Sequence, residues 1–523
     1  QFDILSEFFQ YNENLRYFGV TGCGTLMFGC GLSPQSIFSL ISAVSKFNQH
    51  SLREVDFSCN KLTDQQAAEL IGALGKSLNL VVLHLVSNKI AMNGCVELGK
   101  LLRNPTCKLK KINLGHNDID DQCVPVLKTA LKNNKTVKNI SLGEGDISHS
   151  VKRANRKEAN PITAEGWASF SSLLMDRINL LERLSLSGTE IDDESTVTLT
   201  NVLAKTVVLK SLDLSSCKSI MEVGWRSIVN LLQNLNSRLE ELVFNCSNFD
   251  DAVAVAMASA LANKIDLKNL HMGDNKFVTS AGWQSFFSVF PNSESSLETF
   301  NLNSNRIDDD GLSLLVNALA NANTIKKLYL SGTESISDAG LHAVTNLLRQ
   351  PKSRLGALYL DSSTDDVLVD FANALTNNTS LKTLHFFPSE SSSSQWSAFS
   401  DTLCNKSSIN ATFNSNHTLQ ILFGSSIPHD IYHNLALNKH YGKEEAARQK
   451  ILEHHFSHEH ENDNIHVFSD IEWKAMPHAI SWIGRDEDEF SLMYQLLRGT
   501  PSLFESKAST KGIGKKRKHR HIE

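Results

Sequence analysis

The residues able to do chemistry fall into a few groups. The densest is His454-His455-Phe456-Ser457-His458-Glu459-His460. Histidines four apart, such as His454 and His458, share one face of a helix, and zinc accepts two imidazoles in that arrangement. No cysteine lies nearby and nothing specifies a third and a fourth ligand, so the stretch is expected to be an exposed helix end or loop, with no metal and no other cofactor assigned. Asp192-Asp193 and Asp308-Asp309-Asp310 are paired carboxylates. They recur at one position ahead of a helical pattern, where acids cap free N–H groups, and a structural role is expected for them. The nine cysteines are odd in number, scattered and never in a CxxC pair, which predicts packed, reduced thiols. There is no phosphate loop ending in GK[ST], no GxSxG and no HExxH. No enzyme activity is predicted.

The elements that position these groups come from a repeat. Leu297 to Ile307 reads LxxLxLxxNxI, and close copies appear at Leu52…Asn60, Leu80…Asn88, Leu109…Asn117 and Leu267…Asn275. The first leucine of the motif runs on through Val137, Leu181, Leu209, Leu239, Ile325, Leu355 and Leu381, in steps of 28 to 30 residues apart from one of 44 and a last one of 26. Between motifs lies a helical pattern such as Ala67, Ala68, Leu70, Ile71, Ala73 and Leu74. Each unit is therefore predicted to be a short strand, a turn and a full helix, with the motif leucines inward and the asparagine bonded to backbone groups of the turn. A helix is wider than the spacing of neighbouring strands, so stacked units are expected to curve into a horseshoe with strands inside and helices outside.

The step length, the full helix and the LxxLxLxxN lettering resemble the ribonuclease-inhibitor-like leucine-rich repeat proteins over roughly residues 15–425. The resemblance implies an α/β solenoid and says little about function, because relatives include enzyme inhibitors, immune-sensor arms, actin-capping proteins and a GTPase activator. Residues 1–51 are expected to be a degenerate first repeat, 52–425 the solenoid, 426–505 a helical C-terminal cap and 506–523 a basic tail.

Individuality lies in the departures. The 44-residue step holds an insertion over 148–161 that carries Lys152, Arg153, Arg156 and Lys157 against one acid. It is expected to project from the rim between turn and helix, as a contact loop for an acidic partner or a plain solvated loop. Positions between the second and third leucines should face the hollow, and rings gather toward the C-terminal end of that row: His271, Tyr329, Tyr359 and His385. Beside them Glu182, Lys210, Glu240, Lys268, Glu298 and Lys326 alternate in sign, which suits cross-strand ion pairs or a mixed-charge recognition surface. The residues predicted to anchor a protein partner are Tyr329, Tyr359, His385 and Phe387, with Lys326, Lys327 and His271 beside them.

The chain ends in Lys515-Lys516-Arg517-Lys518-His519-Arg520, which resembles a nuclear import signal. Net charge is −6 over 523 residues, so affinity for nucleic acid or anionic lipid must be local if it exists. No leader and no apolar run long enough to span a bilayer is visible, and an intracellular protein, cytoplasmic or nuclear, is expected. The predicted function is a non-enzymatic scaffold that binds a protein, with no small-molecule substrate and no membrane. A regulator of a small GTPase ranks second. Nucleic-acid association through the tail and the 148–161 loop ranks third.

Overall fold

The computed structural model describes residues 17–19, 51–75, 79–143, 159–177, 180–234, 237–262, 266–289, 296–322, 324–333, 335–351, 353–361, 365–387, 393–424, 427–455, 476 and 480. The chain divides into two compact units, residues 1–363 with 385–387, and residues 364–384 with 388–523.

The first unit is an α/β leucine-rich-repeat solenoid. Twelve short strands, from Tyr17–Gly19 and Glu54–Asp56 to Lys327–Tyr329 and Ala357–Asp361, follow one another in chain order. Each pairs in parallel with the next, so that Glu54, Val82 and Lys111 share one row and Asp56, His84 and Asn113 another. The middle residue of the strand is the second leucine of the motif. At Val55, Leu83, Leu212, Leu270, Phe300 and Leu328 it is fully buried toward the helices. Filling that position contributes roughly 1.5–3 kcal/mol per side chain. Strand residues on either side of it face away from the helices and form the open face of the sheet.

The turn after each strand is closed by a ladder of polar side chains. Asn88 Nδ2 donates to Phe57 O and Leu85 O, both at 3.0 Å, while its Oδ1 accepts from Leu62 N–H. Asn117, Asn275 and Asn305 repeat the arrangement. Where the motif asparagine is missing, Thr189, Cys217, Ser247 and Thr333 send a hydroxyl or thiol to the same carbonyl three residues back or one strand earlier. The residue just before these ladder positions is left-handed, as at Ser87, His116, Ser216, Cys246, Asp274 and Ser304, with glycine in that place at Gly188 and Gly332. Such a backbone costs about 1–2 kcal/mol for a residue with a side chain, and the closed turn offsets it.

One boundary is corrected here. Asn160, expected within the 148–161 insertion, is a ladder residue: it is 1% exposed and donates to Leu114 O and Leu142 O at 3.1 and 2.9 Å. The extra residues therefore precede the asparagine in the sequence rather than follow it. A ladder amide has to sit over the strand-end carbonyls whatever is inserted upstream.

The carboxylates expected to cap helices do so in two ways. Asp192 accepts from Ser195 N–H at the start of its own helix, Asp193–Leu203. Asp193 reaches forward and accepts from Met221 N–H, ahead of the next helix, Glu222–Gln233. Asp64, Asp121, Asp251 and Asp309 reach forward in the same manner to Ala91, Thr163, Thr279 and Ser337. Each receiving helix has a glycine near its start. A Cβ on Gly224 would fall 2.6 Å from Asp193 Oδ1, so the close approach itself requires glycine. The structural unit is thus a pair of repeats, one giving the carboxylate and one giving the glycine.

The second unit contains the helices Asp365–Leu375 and Ser393–Leu403, a strand Ile421–Phe423, and the helices His429–His440 and Lys443–His455. It adds a short helix, Ile409–Phe413, that the sequence pattern did not predict. Ser408 caps it by accepting from Ala411 N–H. Leu419-Gln420-Ile421-Leu422 forms a strand edge as expected, with Gln420 and Ile421 N–H donating to Lys382 O at 2.8 and 3.0 Å.

Candidate functional site

On the open face of the first unit the strands Lys327–Tyr329 and Ala357–Asp361 pair Tyr329 directly with Tyr359. Parallel register puts identical rings one strand spacing apart, and they stack: the centroids are 4.3 Å apart and the planes 10° from parallel. The His385 ring continues the row at 5.4 Å from Tyr359. All three are half-buried, because their bodies lie along the sheet while their edges stay open. Burial, then the neighbouring Tyr359, raises the Tyr329 phenol above its ordinary value. Burial holds the His385 imidazole below its own, opposed by the Asp361 carboxylate. Both shifts favour the uncharged form of the Tyr329 and His385 rings.

Charges flank the stack. Lys327 is exposed on the same strand as Tyr329. Lys326 is bonded to Glu298 at 2.7 Å, one of a series of cross-strand pairs with Lys268–Glu240 at 2.8 Å and Lys138–Glu182. The alternation in the sequence is thus used for pairing between adjacent strands. Those lysines present their stems and one partnered charge rather than bare cations. His271 lies two strands from Tyr329, half-buried, with burial lowering its pKa. The stack and Lys326, Lys327 come together; His271 stands apart from them.

The side chain of Phe387 lies outside the described residues. So do Lys152, Arg153, Arg156 and Lys157, and the tail residues Lys515, Lys516, Arg517, Lys518 and Arg520. Of the histidine-rich stretch, His458 and His460 lie outside them too. His455 corrects the expectation of an exposed helix end: it is buried, with its Nε2 at 2.7 Å from Thr412 Oγ1. The helix needs that turn to cover Ile409–Phe413, and burial pushes the His455 imidazole down to about 4. Among the described residues no three histidine, cysteine or acidic side chains gather as a metal site. The seven described cysteines form no disulfide, and no described helix is long and apolar enough to cross a membrane.

Two buried cations carried no signal in the repeat pattern. Arg177, 1% exposed, donates to Leu131 O and Asn134 O at 2.7 and 2.6 Å and to Val137 O, closing the carbonyl end of the helix Cys123–Lys132. Lys450, 0% exposed, donates to Leu403 O at 2.7 Å and lies 3.3 Å from His417 Nδ1. Both sit at positions where the helical pattern calls only for a polar residue, so composition gives no hint of burial.

A family profile described as "Leucine Rich repeat" matches residues 48–65, 107–122 and 294–316. The chain is similar to the ribonuclease inhibitor of Sus scrofa, 25% identical over 301 residues that cover 58% of this chain and 62% of that protein. The ribonuclease inhibitor of Mus musculus is 24% identical, covering 61% and 67%. The NACHT, LRR and PYD domains-containing protein 14 of Mus musculus is 23% identical, covering 59% of this chain and 29% of the relative. The match thus spans less than two thirds of the pig inhibitor and under a third of the NACHT protein.

Proposed function

We propose that this chain, a ribonuclease-inhibitor-like leucine-rich-repeat protein, is a non-enzymatic scaffold that binds a protein partner on the open face of its sheet. The observation that carries this reading is the stack of Tyr329, Tyr359 and His385. Three rings held by backbone register lose almost no freedom on binding, so contact area converts to affinity without an ordering cost. Lys327 beside the stack, and the ion pair of Lys326 with Glu298, supply a polar rim that favours an acidic or mixed-charge surface. The relatives' name, ribonuclease inhibitor, describes proteins that act on another protein, which supports the same class of partner. An intracellular location, cytoplasmic or nuclear, belongs to the reading and is supported by cysteines that are odd in number and scattered. The 148–161 loop and the 515–520 cluster belong to it as auxiliary contact and targeting segments.

The test is affinity capture from the native cell with the intact protein beside a variant carrying Tyr329→Ala, Tyr359→Ala and His385→Ala. One stoichiometric partner should be retained by the first and lost by the second, with each single change weakening binding by about 1–2 kcal/mol or more. An unchanged captured set would show that the stack is not the anchor.

A further inference from the structure

The charge rows of the first unit break their alternation at one place. From Glu182 to Lys326 every lysine ahead of a strand has an acid on the neighbouring strand. One step earlier Lys110 and Lys138 are neighbours instead, the Lys138 N–H donating to Lys110 O at 2.9 Å. Lys138 is bonded to Glu182 on its other side, whereas Lys110 meets Val81. Like charges on adjacent strands destabilise a sheet. The loops that lead into these two strands from the helices Met92–Arg103 and Cys123–Lys132 add to the excess. Neither 98–117 nor 122–143 contains an acidic residue. Arg103, Lys110, Lys132 and Lys135 are exposed, and among the described residues their side chains make no hydrogen bond or ion pair. Lys108 is bonded to the neutral Asn79 Oδ1 at 2.6 Å and keeps its charge unopposed.

Cations at a helix end ordinarily serve its free carbonyls. At Cys123–Lys132 that need is met from inside, by Arg177 of the next repeat, which donates to Leu131 O, Asn134 O and Val137 O. Lys132 and Lys135, outside on the same loop, are surplus to it. A buried guanidinium held by carbonyls adds to the positive potential of the rim. Where that potential ends limits the partner. Asp176 and Glu182 bound it on the following repeat, and Glu54, two strands before Lys111, bounds it on the other side. A nucleic acid continues its charge without a break, about one per 1.7 Å in a duplex, and would run on into those acids. No Phe, Tyr or Trp lies between 98 and 143 to stack a base. A run of carboxylates that comes to an end fits better: six extended residues span about 20 Å, roughly the width of two neighbouring helix ends.

We propose that the helix-to-strand rim of these two repeats, residues 103–111 and 132–138, is a docking surface for a short run of aspartate or glutamate in a protein partner. It is separate from the ring stack and does not depend on it. The test titrates the full chain into hexaglutamate carrying an N-terminal fluorescein, followed by anisotropy at about 0.01 M salt. A patch variant carries Lys110→Gln, Lys132→Gln and Lys135→Gln. A matched variant removes three exposed charges elsewhere, by Lys89→Gln, Lys218→Gln and Lys406→Gln. Binding should weaken about tenfold in the patch variant and about twofold or less in the matched one. Because the three patch lysines hold nothing in place, that variant should unfold at the urea midpoint of the unaltered chain or above it. Carbodiimide coupling of hexaglutamate to the unaltered chain then locates the contact without any variant, and the linked residues should include Lys110, Lys132 and Lys135. No binding, equal loss in both variants, or cross-links confined to the 515–520 cluster would overturn the surface. An oligothymidylate of equal charge that binds as tightly as hexaglutamate, and loses as much in the patch variant, would overturn the protein segment as partner in favour of nucleic acid.

Discussion

Both units of the molecule face the same difficulty at the ends of their elements, where backbone carbonyls turn inward without partners. In the first unit the answer is a neutral side chain repeated turn after turn: Asn88, Asn117, Asn160, Asn275 and Asn305, with Thr189, Cys217, Ser247 and Thr333 in the same place. In the second unit Asn416 and Asn438 continue that chemistry toward Leu375 O, Asn378 O and Leu419 O. Beside them, however, Lys450 bonds Leu403 O, His417 is half-buried next to Phe413 O, and His455 is buried against Thr412. Amides and hydroxyls do not titrate, and burial pushes the one thiol rung, Cys217, up to about 12, whereas a buried amine and two imidazoles titrate at lower pH. The comparison therefore predicts that stability depends on pH in the second unit and hardly at all in the ladder of the first.

The largest effect should come from Arg177, the one buried cation of the first unit's described residues that bonds carbonyls alone. Its guanidinium is charged at any working pH, so it joins the pH-insensitive side of the comparison even though burial lowers its pKa. Arg177→Ala leaves the carbonyls of Leu131, Asn134 and Val137 without their donor and should cost roughly 3–5 kcal/mol. Chemical denaturation monitored by hydrogen exchange over 123–143 would measure it, and a loss below about 1 kcal/mol would show those carbonyls find other partners.

A direct attempt to break the comparison is a pH series. Burial first, then the charge of Lys450, holds His417 at about 4, and burial with the neighbouring His454 holds His455 at about 4, both below the ordinary 6.5. Folded-state values below the unfolded ones mean that the stability is complete above about pH 6.5 and is lost as pH falls through about 4. Lys450 lies at about 7 rather than 10.5, chiefly through burial, so its share of stability is complete above about pH 10.5 and declines as pH falls toward 7. Hydrogen exchange, corrected for intrinsic rates, should show residues 409–455 gaining a few kcal/mol of protection between about pH 4 and 6.5 and more toward about pH 10, at ~1.4 kcal/mol for each tenfold difference in proton affinity between the folded and unfolded chain. Lys450→Met should flatten the alkaline limb. Residues 251–307 should change far less, and equal slopes in the two segments would refute the distinction.

Within the first unit the ladder can be sharpened one rung at a time. Asn275→Ala removes the donor to Met272 O and the acceptor for Ser247 N–H and should cost about 2 kcal/mol, without pH dependence between about 5 and 8. The midpoint of urea unfolding at both pH values would decide it. Smallest of all should be Glu298→Gln, which breaks a half-exposed pair with Lys326 on the open face and should cost under about 1 kcal/mol, less in high salt. A larger loss would mean that the charge rows hold the sheet together rather than decorate it.

The repeat makes the fold legible in the sequence. A period of 28 to 30 residues with leucines at alternating places leaves only one way to bury them, and it locates the strands, the ladder asparagines and the row that holds Tyr329, Tyr359 and His385. The sequence also carries an alternation whose meaning the period alone does not give: steps of 28 and 30, and a glycine near the start of every second helix. The close approach of Asp193 to Gly224 explains both as one two-repeat unit.

What sequence alone determined is everything that follows from local spacing: element type, register and which side each strand residue faces, because those obey the periods of strand and helix. What only the tertiary structure decided is the fate of polar residues whose neighbours are distant in the chain. Asn160 turned out to be a rung, Asn113 a buried amide, Arg177 and Lys450 buried donors and His455 an inward-facing ring. Polarity in the sequence predicts exposure only on average, and a buried polar group is set by partners more than 40 residues away, as Arg177 with Leu131 and Lys450 with Leu403 illustrate.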